Sequence, residues 1–449
     1  MNAADDCCLS GVMWPYFPEL LAKPVPRYTS FPTAAEFADG VCPSDVFAAL
    51  EQARGEISLY VHIPFCESIC WYCGCNTGAA NRRQRLASYL DSLYHEIVMI
   101  GSRLPRSASI RHVAFGGGSP NAIAPTDFVR LMDTLTLHFR LTDPVISIEL
   151  DPRTLNESWG AVMGGIGATR ASLGVQTFAP HLQVAIGREQ PMKEIARSVA
   201  LLRKVGIASL NFDLMYGLPG QIMDDLVHTI ETTVAMGADR VALFGYAHVP
   251  HLIPRQRRID ASALPGQYER FRMAERGYRM FVDQGYQPVG FDHFALPGDA
   301  LAQASLSGRL HRNFQGFTDD DAPVTIGLGA SAISSFPQLI VQNEKNSGRY
   351  RMMLSQDQLP VSKGVFRLAG DRLRGRIIER LLCHGQARVD RAILTEVYPG
   401  IAPFIEKGLL VAEEGKLVIP PAGLAYARAI ASQFDPYRAG SPSRFSSAV

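Results

Sequence analysis

The sequence lacks any long apolar run and any excess of charge of one sign. No stretch reaches about 18 apolar residues, the length that predicts a membrane-spanning helix. The 449 residues include 44 basic and 43 acidic ones, a net charge of +1, so no overall field attracts the chain to nucleic acid or anionic membranes. Residues 1–11 carry acids where a signal peptide carries bases. These absences predict a cytoplasmic protein without nucleic-acid or membrane partners.

Cysteine is scarce, and half of it lies in one short segment. Four of the eight cysteines fall within ten residues, at Cys66, Cys70, Cys73 and Cys75. The others are Cys7, Cys8, Cys42 and Cys383, and they form no second group. Such density in a long chain suits soft metal better than a disulfide framework. The CxxxCxxC spacing of the first three predicts an iron–sulfur cluster that keeps one iron open to a small chelator.

The cysteines alone leave two other sites open. All four thiolates could form a zinc knot, or Cys75 could close the cluster as a fourth ligand. Zinc sites usually come as two separated CxxC pairs, however, and Cys73 and Cys75 are poorly placed to serve two corners of one tetrahedron. The pattern therefore favours the open cluster.

Apolar runs alternate with amphipathic stretches from residue 57 to about residue 295. The runs predict strands at 57–63, 110–115, 145–150, 170–175, 209–215 and 240–244, with a further candidate at 288–292. The first stretch between them has a helical stripe at Leu86, Leu90, Leu93 and Ile97. Repeating strand–helix units predict a parallel sheet with right-handed crossovers. We expect an α/β fold, a partial (β/α)6 barrel.

Polar residues and glycines follow the predicted strands where each one ends. They are the cysteine segment, Gly116 to Pro120 (GGGSP), Glu149 with Asp151, Gln176, Asp213 and Tyr246 to His248. Taken singly, each has an ordinary structural explanation, a glycine-rich turn or a helix cap. Because the carboxyl ends of parallel strands meet at one edge of a sheet, where ligands bind, the set predicts one site.

The two ends of the chain differ from the middle. Composition favours a surface arm for residues 1–50, although Arg27 and Tyr28 would suit an arm folded over a site. The small residues of 327–334 predict backbone close to a cofactor. Helices predicted at 371–383, 388–397, 402–407 and 424–433, with a hairpin at 409–420, resemble a winged helix that lacks a basic face. We expect an N-terminal arm (1–50), a partial barrel (51–300) and a mainly helical, winged-helix-like C-terminal domain (301–449).

The motifs resemble a known family. A CxxxCxxC segment after a strand is similar to the signature of radical S-adenosylmethionine enzymes. An ordered set along nearly the whole chain resembles the oxygen-independent coproporphyrinogen III oxidases: RYTSFPTA (27–34), YVHIPFCESICWYCGCNT (60–77), GGGSP (116–120), SIELDPRT (147–154), GVQTF (174–178), GREQ (187–190), FDLMYGLPGQ (212–221), YAHVP (246–250), FDHFALP (291–297) and LHRNFQGFT (310–318).

The resemblance implies a set of binding residues. Cys66, Cys70 and Cys73 match the ligands of a 4Fe-4S cluster, and Cys75 matches a family cysteine that is not a ligand. Positions contacting the S-adenosylmethionine on the cluster match Tyr60, Gly117, Glu149 and Ile333. Those contacting a second S-adenosylmethionine match Tyr72, Gly118, Ser119, Gln176, Arg188, Asp213 and Ala247. Tyr72 replaces an expected phenylalanine and Ser119 an expected threonine, and each keeps the needed ring or hydroxyl.

The resemblance also implies a reaction. Two propionates of coproporphyrinogen III would be oxidatively decarboxylated to vinyl groups by a 5′-deoxyadenosyl radical, giving protoporphyrinogen IX for haem. A low-potential flavodoxin or ferredoxin would supply electrons, and we expect a monomer. A substrate with four carboxylates needs cationic partners. The candidates are Arg27, His311, Arg312 and Gln315, whereas the basic run 255–258 fits a solvated loop at least as well.

Other functions stay open on the sequence. A haem chaperone related to the family shares CxxxCxxC but typically lacks the following cysteine and the RYTS-like arm, both of which are present here. A cluster-bearing electron carrier would not need GGGSP, Glu149 or Asp213. A relative that opens the haem ring is disfavoured by the full-length match alone.

Overall fold

The computed structural model describes residues 14–80 and 83–440, so Cys7 and Cys8 lie outside the described residues. Its centre is a sheet of twelve strands. In chain order they are β1 (Gly55–Ile63), β2 (Ala108–Gly117), β3 (Leu141–Leu150), β4 (Arg170–Gln176), β5 (Ser209–Tyr216), β6 (Arg240–Gly245), β7 (Gln287–Val289), β8 (His293–Ala295), β9 (Val324–Leu328), β10 (Ile333–Ser335), β11 (Leu339–Asn343) and β12 (Val361–Phe366).

Helices alternate with the first strands and then dominate the C-terminal part. They are α1 (Pro18–Leu21), α2 (Pro43–Gln52), α3 (Arg83–Gly101), α4 (Pro125–His138), α5 (Glu157–Gly165), α6 (Pro180–Ala185), α7 (Met192–Lys204), α8 (Met223–Ala235), α9 (Gln267–Asp283), α10 (Ala300–Leu306), α11 (Ser347–Leu354), α12 (Ala369–His384), α13 (Arg391–Glu406) and α14 (Ala427–Ala431). No described helix is long and apolar enough to cross a membrane.

The strand order is β12-β11-β10-β9-β1-β2-β3-β4-β5-β6-β8-β7. Strands β1 to β6, the six predicted from the sequence, are neighbours and run parallel, and β9 extends the parallel part on the other side of β1. The two outermost strands, β12 and β7, do not pair with each other within the described part of the chain, so the barrel is open between them. The predicted partial (β/α)6 barrel is confirmed, and its sheet continues past residue 300.

Strand β1 shows how the sequence builds this sheet. Its apolar residues Ile57, Leu59, Val61 and Ile63 are at most 1% exposed and form part of the main core. The predicted stripe of α3 packs into the same core. Burial of such side chains contributes about 1.5–3 kcal/mol each. The strand's alternate residues are polar and face the concave side of the sheet, as the period of two requires.

Partly buried polar pairs lie away from the carboxyl ends of the strands. Asp320 accepts a hydrogen bond from Ser58 and lies 3.1 Å from His112 Nδ1. Arg170 forms a two-pronged pair with Asp319 at 2.6 and 2.7 Å. Because these residues occupy the lower interior of the barrel, space for a ligand remains near the carboxyl ends of the strands.

The N-terminal arm packs on the C-terminal part of the chain. Trp14, Val25, Tyr28 and Phe31 are buried in one apolar cluster with residues of α12, α13 and α14. The Tyr28 hydroxyl donates to Asp435 Oδ2 at 3.0 Å. The expectation of a surface arm is therefore wrong for the described residues, because they pack into the apolar cluster of the C-terminal part.

The C-terminal part is mainly helical, with a small three-stranded sheet of residues 386–388, 411–413 and 416–418. Its strands include the predicted hairpin. The two helices predicted at 388–397 and 402–407 are one helix, α13, which contains Pro399 and Pro403. Val397, Ile401 and Phe404 form a buried stripe along it. This continuous apolar face holds the helix together despite the hydrogen bonds that the prolines remove. The boundaries at residues 50 and 300 stay predictions.

Candidate active site

A cavity of about 180 Å³ opens at the carboxyl ends of the parallel strands. All four cysteines of the predicted segment line it. Eight predicted cofactor-binding residues also line it: Tyr72, Gly117, Gly118, Ser119, Glu149, Gln176, Arg188 and Asp213. We call it the cysteine cavity. The sheet thus brings together residues that are separated by up to about 140 positions in the sequence, as the strand-end rule predicts.

The cysteine segment forms a loop that is tied down at both ends. Residues 65–66 pair in parallel with residues 78–79. The Trp71 amide donates to Ile186 O at 3.0 Å, which joins the middle of the loop to the segment after α6. Thr77 Oγ1 donates to Cys66 Sγ at 3.2 Å. None of the six described cysteines forms a disulfide, so all the thiols of the loop are available as ligands.

Arg188 places a buried positive charge against the thiols. Its Nη1 donates to Cys70 Sγ at 3.2 Å, while Nε and Nη2 donate to Gly174 O at 3.0 and 2.7 Å. Asp151 lies 3.5 Å from Arg188 and accepts three hydrogen bonds from the guanidinium of Arg153. The buried guanidinium of Arg188 therefore lies in hydrogen-bond contact with one of the predicted cluster ligands.

The protonation of the other cysteines depends on their surroundings. The hydrogen bond from Cys75 lowers the pKa of Cys73 to about 6, with further help from Arg255 and Arg188. Burial instead raises the pKa of Cys66 to about 11. A cation bound between them would favour the thiolate form of both.

The GGGSP turn needs glycine for steric reasons. Gly117 has a φ of +109°, and a Cβ there would lie 2.4 Å from the His62 ring. A Cβ on Gly118 would lie 2.4 Å from Phe65 O. The turn therefore approaches both β1 and the cysteine loop more closely than any side chain allows. The Gly117 amide donates to Glu149 Oε2 at 3.1 Å.

Two partly buried carboxylates, Glu149 and Asp213, line the cysteine cavity. Burial, and then the charge of Asp213, raises the pKa of Glu149 to about 7. Burial also raises the pKa of Asp213, although Ser172 Oγ at 2.9 Å and Asn211 Nδ2 at 2.8 Å donate to it. Carboxylates held in this way suit an ammonium group or hydroxyls.

The donor set fits an iron–sulfur cluster with an organic cofactor. Three soft thiols line a polar cavity that carboxylates also line. The buried Gln176 Oε1 has no hydrogen-bond partner among the described residues, and a ligand donor would satisfy it. Within 14–80 and 83–440, no three His, Cys, Asp or Glu side chains are grouped around a single ion position.

Three predicted cofactor residues do not line the cysteine cavity. Tyr60 has its hydroxyl 3.0 Å from His62 Nδ1, and burial, followed by the charge of Glu149, raises the pKa of this tyrosine. Ile333 begins β10, and its backbone packs against Gly327. Ala247 lines a neighbouring cavity. Their predicted contacts with cofactor stay predictions.

Gln256 is a structural link that the sequence did not reveal. This residue is 1% exposed, and its Nε2 donates to Tyr72 O at 2.9 Å and to Ala247 O at 3.0 Å. It joins the cysteine loop to the segment after β6. The basic run 255–258 is part of a short 3-10 helix, Pro254–Arg258, in which Gln256 is the buried residue.

The candidate substrate residues are only partly gathered. Arg312 donates through Nε and Nη2 to Arg27 O at 3.2 and 3.1 Å. His311 lies 3.3 Å from Glu379 Oε1 and, with Arg312, lines a larger cavity of about 390 Å³. Gln315 is exposed on the hairpin between residues 311–313 and 316–318. None of the four lines the cysteine cavity.

Comparison with known proteins agrees with this geometry. Residues 60–233 match the family model of the Radical SAM superfamily. Oxygen-independent coproporphyrinogen III oxidase from Cereibacter sphaeroides is 38% identical over 92% of this chain and 94% of that protein. Its counterpart from Escherichia coli K12 is 34% identical over 92% of this chain and 93% of that protein.

A solved structure extends the likeness to the fold. Coproporphyrinogen III oxidase (HemN) from Escherichia coli, described as a Radical SAM enzyme, superposes with a TM-score of 0.89 at 31% identity. The match covers 95% of this chain and 100% of that one. Such coverage includes the arm and the C-terminal part as well as the sheet. The chain belongs to the oxygen-independent coproporphyrinogen III oxidase family, within the Radical SAM superfamily.

Proposed function

We propose that this protein converts two propionate side chains of coproporphyrinogen III to vinyl groups without oxygen, giving protoporphyrinogen IX. The observation that carries the proposal is the cysteine cavity, which combines three cluster-ligand thiols with a buried cation and two partly buried carboxylates. Neither a plain electron carrier nor a haem-binding module needs that combination. The full-length similarity to enzymes named for this reaction supports the same function.

The cofactors supply the radical, and the protein supplies the positions. When bound, a reduced 4Fe-4S cluster and S-adenosylmethionine provide a 5′-deoxyadenosyl radical that takes a hydrogen atom from a propionate β-carbon. Loss of carbon dioxide from that propionate, with transfer of one electron to an external one-electron acceptor, would leave a vinyl group. Cys66, Cys70 and Cys73 would hold the cluster, and Arg188 donates a hydrogen bond to the Cys70 sulfur. Glu149 and the amide face of the GGGSP turn orient the cofactor.

A second S-adenosylmethionine belongs to the same proposal. Six of the seven residues assigned to it line the cysteine cavity beside those assigned to the first: Tyr72, Gly118, Ser119, Gln176, Arg188 and Asp213. The seventh, Ala247, is joined to Tyr72 through Gln256. Two separate carboxylates, Glu149 and Asp213, could serve two cofactors, since each can accept hydrogen bonds from hydroxyl or ammonium groups.

The electron donor is proposed to be a low-potential flavodoxin or ferredoxin. Glu67, Ser68 and residues 74–76 are the exposed parts of the cysteine loop. A donor docked there would approach the cluster over a short distance. We propose that the protein acts as a monomer, because the cysteine cavity is assembled from one chain.

An anaerobic assay tests the proposed function. The cluster is reconstituted, S-adenosylmethionine, a strong reductant and coproporphyrinogen III are added, and products are followed by mass spectrometry. We expect protoporphyrinogen IX together with 5′-deoxyadenosine, and neither with Cys70→Ala. Cleavage of S-adenosylmethionine by protein with a verified intact cluster, but without a vinyl product, would contradict the proposal. Stable haem binding in that case would favour the chaperone.

A further inference from the structure

A second, smaller cavity lies at the ends of β5 and β6, between the sheet and the C-terminal part. Its volume is about 60 Å³. The polar residues in its wall are Arg27, Arg270, Arg428, Asp292 and Tyr216, with Ala247 at one side. We call it the arginine cavity. The arm, α9 and α14 each contribute one of the three arginines, so only the folded chain brings them together.

Positive charge is in excess around this cavity. Burial, followed by repulsion from Arg27, lowers the pKa of Arg428 to about 10, and Arg312 adds to the repulsion. Asp292 is the carboxylate in the cavity wall, and His293 Nδ1 lies 2.6 Å from it. A second carboxylate, Glu379, accepts from the backbone amide of Arg312 and lies beside His311. The wall of the arginine cavity therefore holds three guanidinium groups and one carboxylate, Asp292, which also contacts His293.

Some of the arginine donors are left for a ligand. Arg270 Nη2 donates to Tyr246 O at 2.7 Å, which fixes the guanidinium, but its buried Nε has no partner among the residues that the structure describes. Arg27 Nη2 makes a long hydrogen bond of 3.4 Å to Gly245 O. A buried donor without a partner is costly, and an anion would satisfy the Nε of Arg270.

We propose that the arginine cavity binds one carboxylate of the tetrapyrrole substrate, with Arg270 and Arg428 as its principal ligands and Arg27 as a third. This inference rests on the proposed function and assigns two residues that the sequence did not single out. Planar guanidinium forks bind carboxylates through paired hydrogen bonds, which also fixes the direction of the bound side chain.

The walls and the position of the cavity agree with such a ligand. Phe244 and Phe291 line it, and Arg27 and Arg428 lie over these rings at 5.2 and 5.7 Å. Aromatic walls suit the pyrrole edge next to a propionate. The volume admits a group of a few atoms and excludes a tetrapyrrole ring. Gln256 connects Ala247 in the wall directly to Tyr72 of the cysteine loop, so a substrate anchored here lies beside the proposed radical site.

Equilibrium binding tests the inference on the cluster-loaded protein without turnover. The probe is coproporphyrin III, a stable oxidised form with the same four carboxylates, and the matched probe is its uncharged tetramethyl ester. We expect Arg270→Gln and Arg428→Gln each to raise the Kd for the acid by about 10- to 100-fold, the range for a lost charge-assisted hydrogen bond. The Kd for the ester should change less than threefold.

Controls separate binding from folding. Arg388, exposed on the C-terminal small sheet, gives Arg388→Gln as the matched charge-loss control, which should bind as the wild type does. Arg428→Lys keeps the charge without the fork and should weaken binding to an intermediate extent, which keeps the test valid if Arg428→Gln does not fold. S-adenosylmethionine affinity should stay unchanged in both variants. If the affinity for S-adenosylmethionine falls as much as the affinity for coproporphyrin III, the arginine cavity binds the carboxylate of the cofactor, and the inference is overturned.

Steady-state kinetics distinguish the failure of this inference from that of the proposed function. We expect the variants to raise KM for coproporphyrinogen III more than they lower kcat. If the wild type forms vinyl product and the variants have unchanged Kd and KM, the arginine cavity is not a substrate site and the proposed function stands. A wild-type protein that binds the acid through these arginines without any vinyl product would overturn the function alone.

Discussion

Glu96 is a buried carboxylate that ties α3 to the region after β9. Its oxygens accept from the Gly329 amide at 2.7 Å, Asn343 Nδ2 at 2.6 Å and the Tyr350 hydroxyl at 2.7 Å. Burial raises the pKa of Glu96 from its ordinary value of 4.5 to about 7. This residue lies outside the cysteine cavity, so its substitution tests the stability of the fold and not the chemistry.

Replacing Glu96 by glutamine should destabilise the protein in a pH-dependent way. Glutamine keeps one accepting oxygen but points an amide NH₂ at Asn343, so one charge-assisted hydrogen bond is lost. Such a bond contributes about 1.5–3 kcal/mol, and we expect the free energy of unfolding to fall by about 2 kcal/mol at pH 8.

The sign of the pH dependence follows from the raised pKa of Glu96. A carboxyl group with a higher pKa in the folded state binds its proton more tightly there, so the folded wild type gains stability at low pH and loses it as the pH rises towards 7. From the pKa values of 4.5 and about 7, the loss between pH 5 and pH 8 is roughly 2–3 kcal/mol. Glutamine does not titrate, so Glu96→Gln should cost most at pH 5 and least at pH 8.

Urea unfolding at pH 5, 6, 7 and 8 measures this difference, with both proteins prepared anaerobically and their cluster content matched. The control is Glu231→Gln, at an exposed position of α8, which should leave both the stability and its pH dependence unchanged. A difference between wild type and Glu96→Gln that stays constant with pH, or grows as pH rises, would refute the reasoning.

Three further predictions follow from the site and the barrel interior. Cys70→Ala should abolish the cluster absorbance and iron content, whereas Cys75→Ala should retain both; equal loss in the two would make Cys75 a ligand. Gly118→Ala places a Cβ 2.4 Å from Phe65 O, so S-adenosylmethionine affinity should fall at least tenfold in titrations, and wild-type affinity would contradict the tight turn. Hydrogen bonds and an adjacent histidine hold the pKa of Asp320 below its ordinary value, so the stabilisation is lost as pH falls through that lowered pKa. Asp320→Asn should therefore cost about 2 kcal/mol at pH 7 and less near pH 3 in urea unfolding, and an equal cost at both would count against it.

Much of the parallel sheet could be predicted from the sequence. Strands β1 to β6 are apolar runs bounded by turn residues. Such local patterns can be recognised in the sequence without knowledge of tertiary contacts. The strand-end rule then gathers Cys66, Glu149 and Asp213 into one cavity with no knowledge of side-chain geometry. For this reason the strand-end residues of the cysteine cavity could be predicted from the sequence pattern, whereas Tyr72 and Arg188 were singled out only by the family resemblance.

Other parts depend on long-range packing and were not predictable. The short strands β9 to β12 carry no distinctive period and are defined by their neighbours in the sheet. Helix α13 continues through Pro399 because its buried face outweighs the local propensity. Arg270 and Arg428 lie on separate helices, where an isolated arginine usually indicates a solvated face. Only the packing of the arm and the C-terminal part on the sheet reveals that they share a cavity.

The most direct test of the central claim follows a hydrogen atom. Coproporphyrinogen III deuterated at the propionate β-carbons is turned over anaerobically by the cluster-loaded protein, and the mass of the 5′-deoxyadenosine is measured. The account predicts that one deuterium is transferred per vinyl group formed. Vinyl product accompanied by unlabelled 5′-deoxyadenosine would contradict direct hydrogen abstraction at the site described.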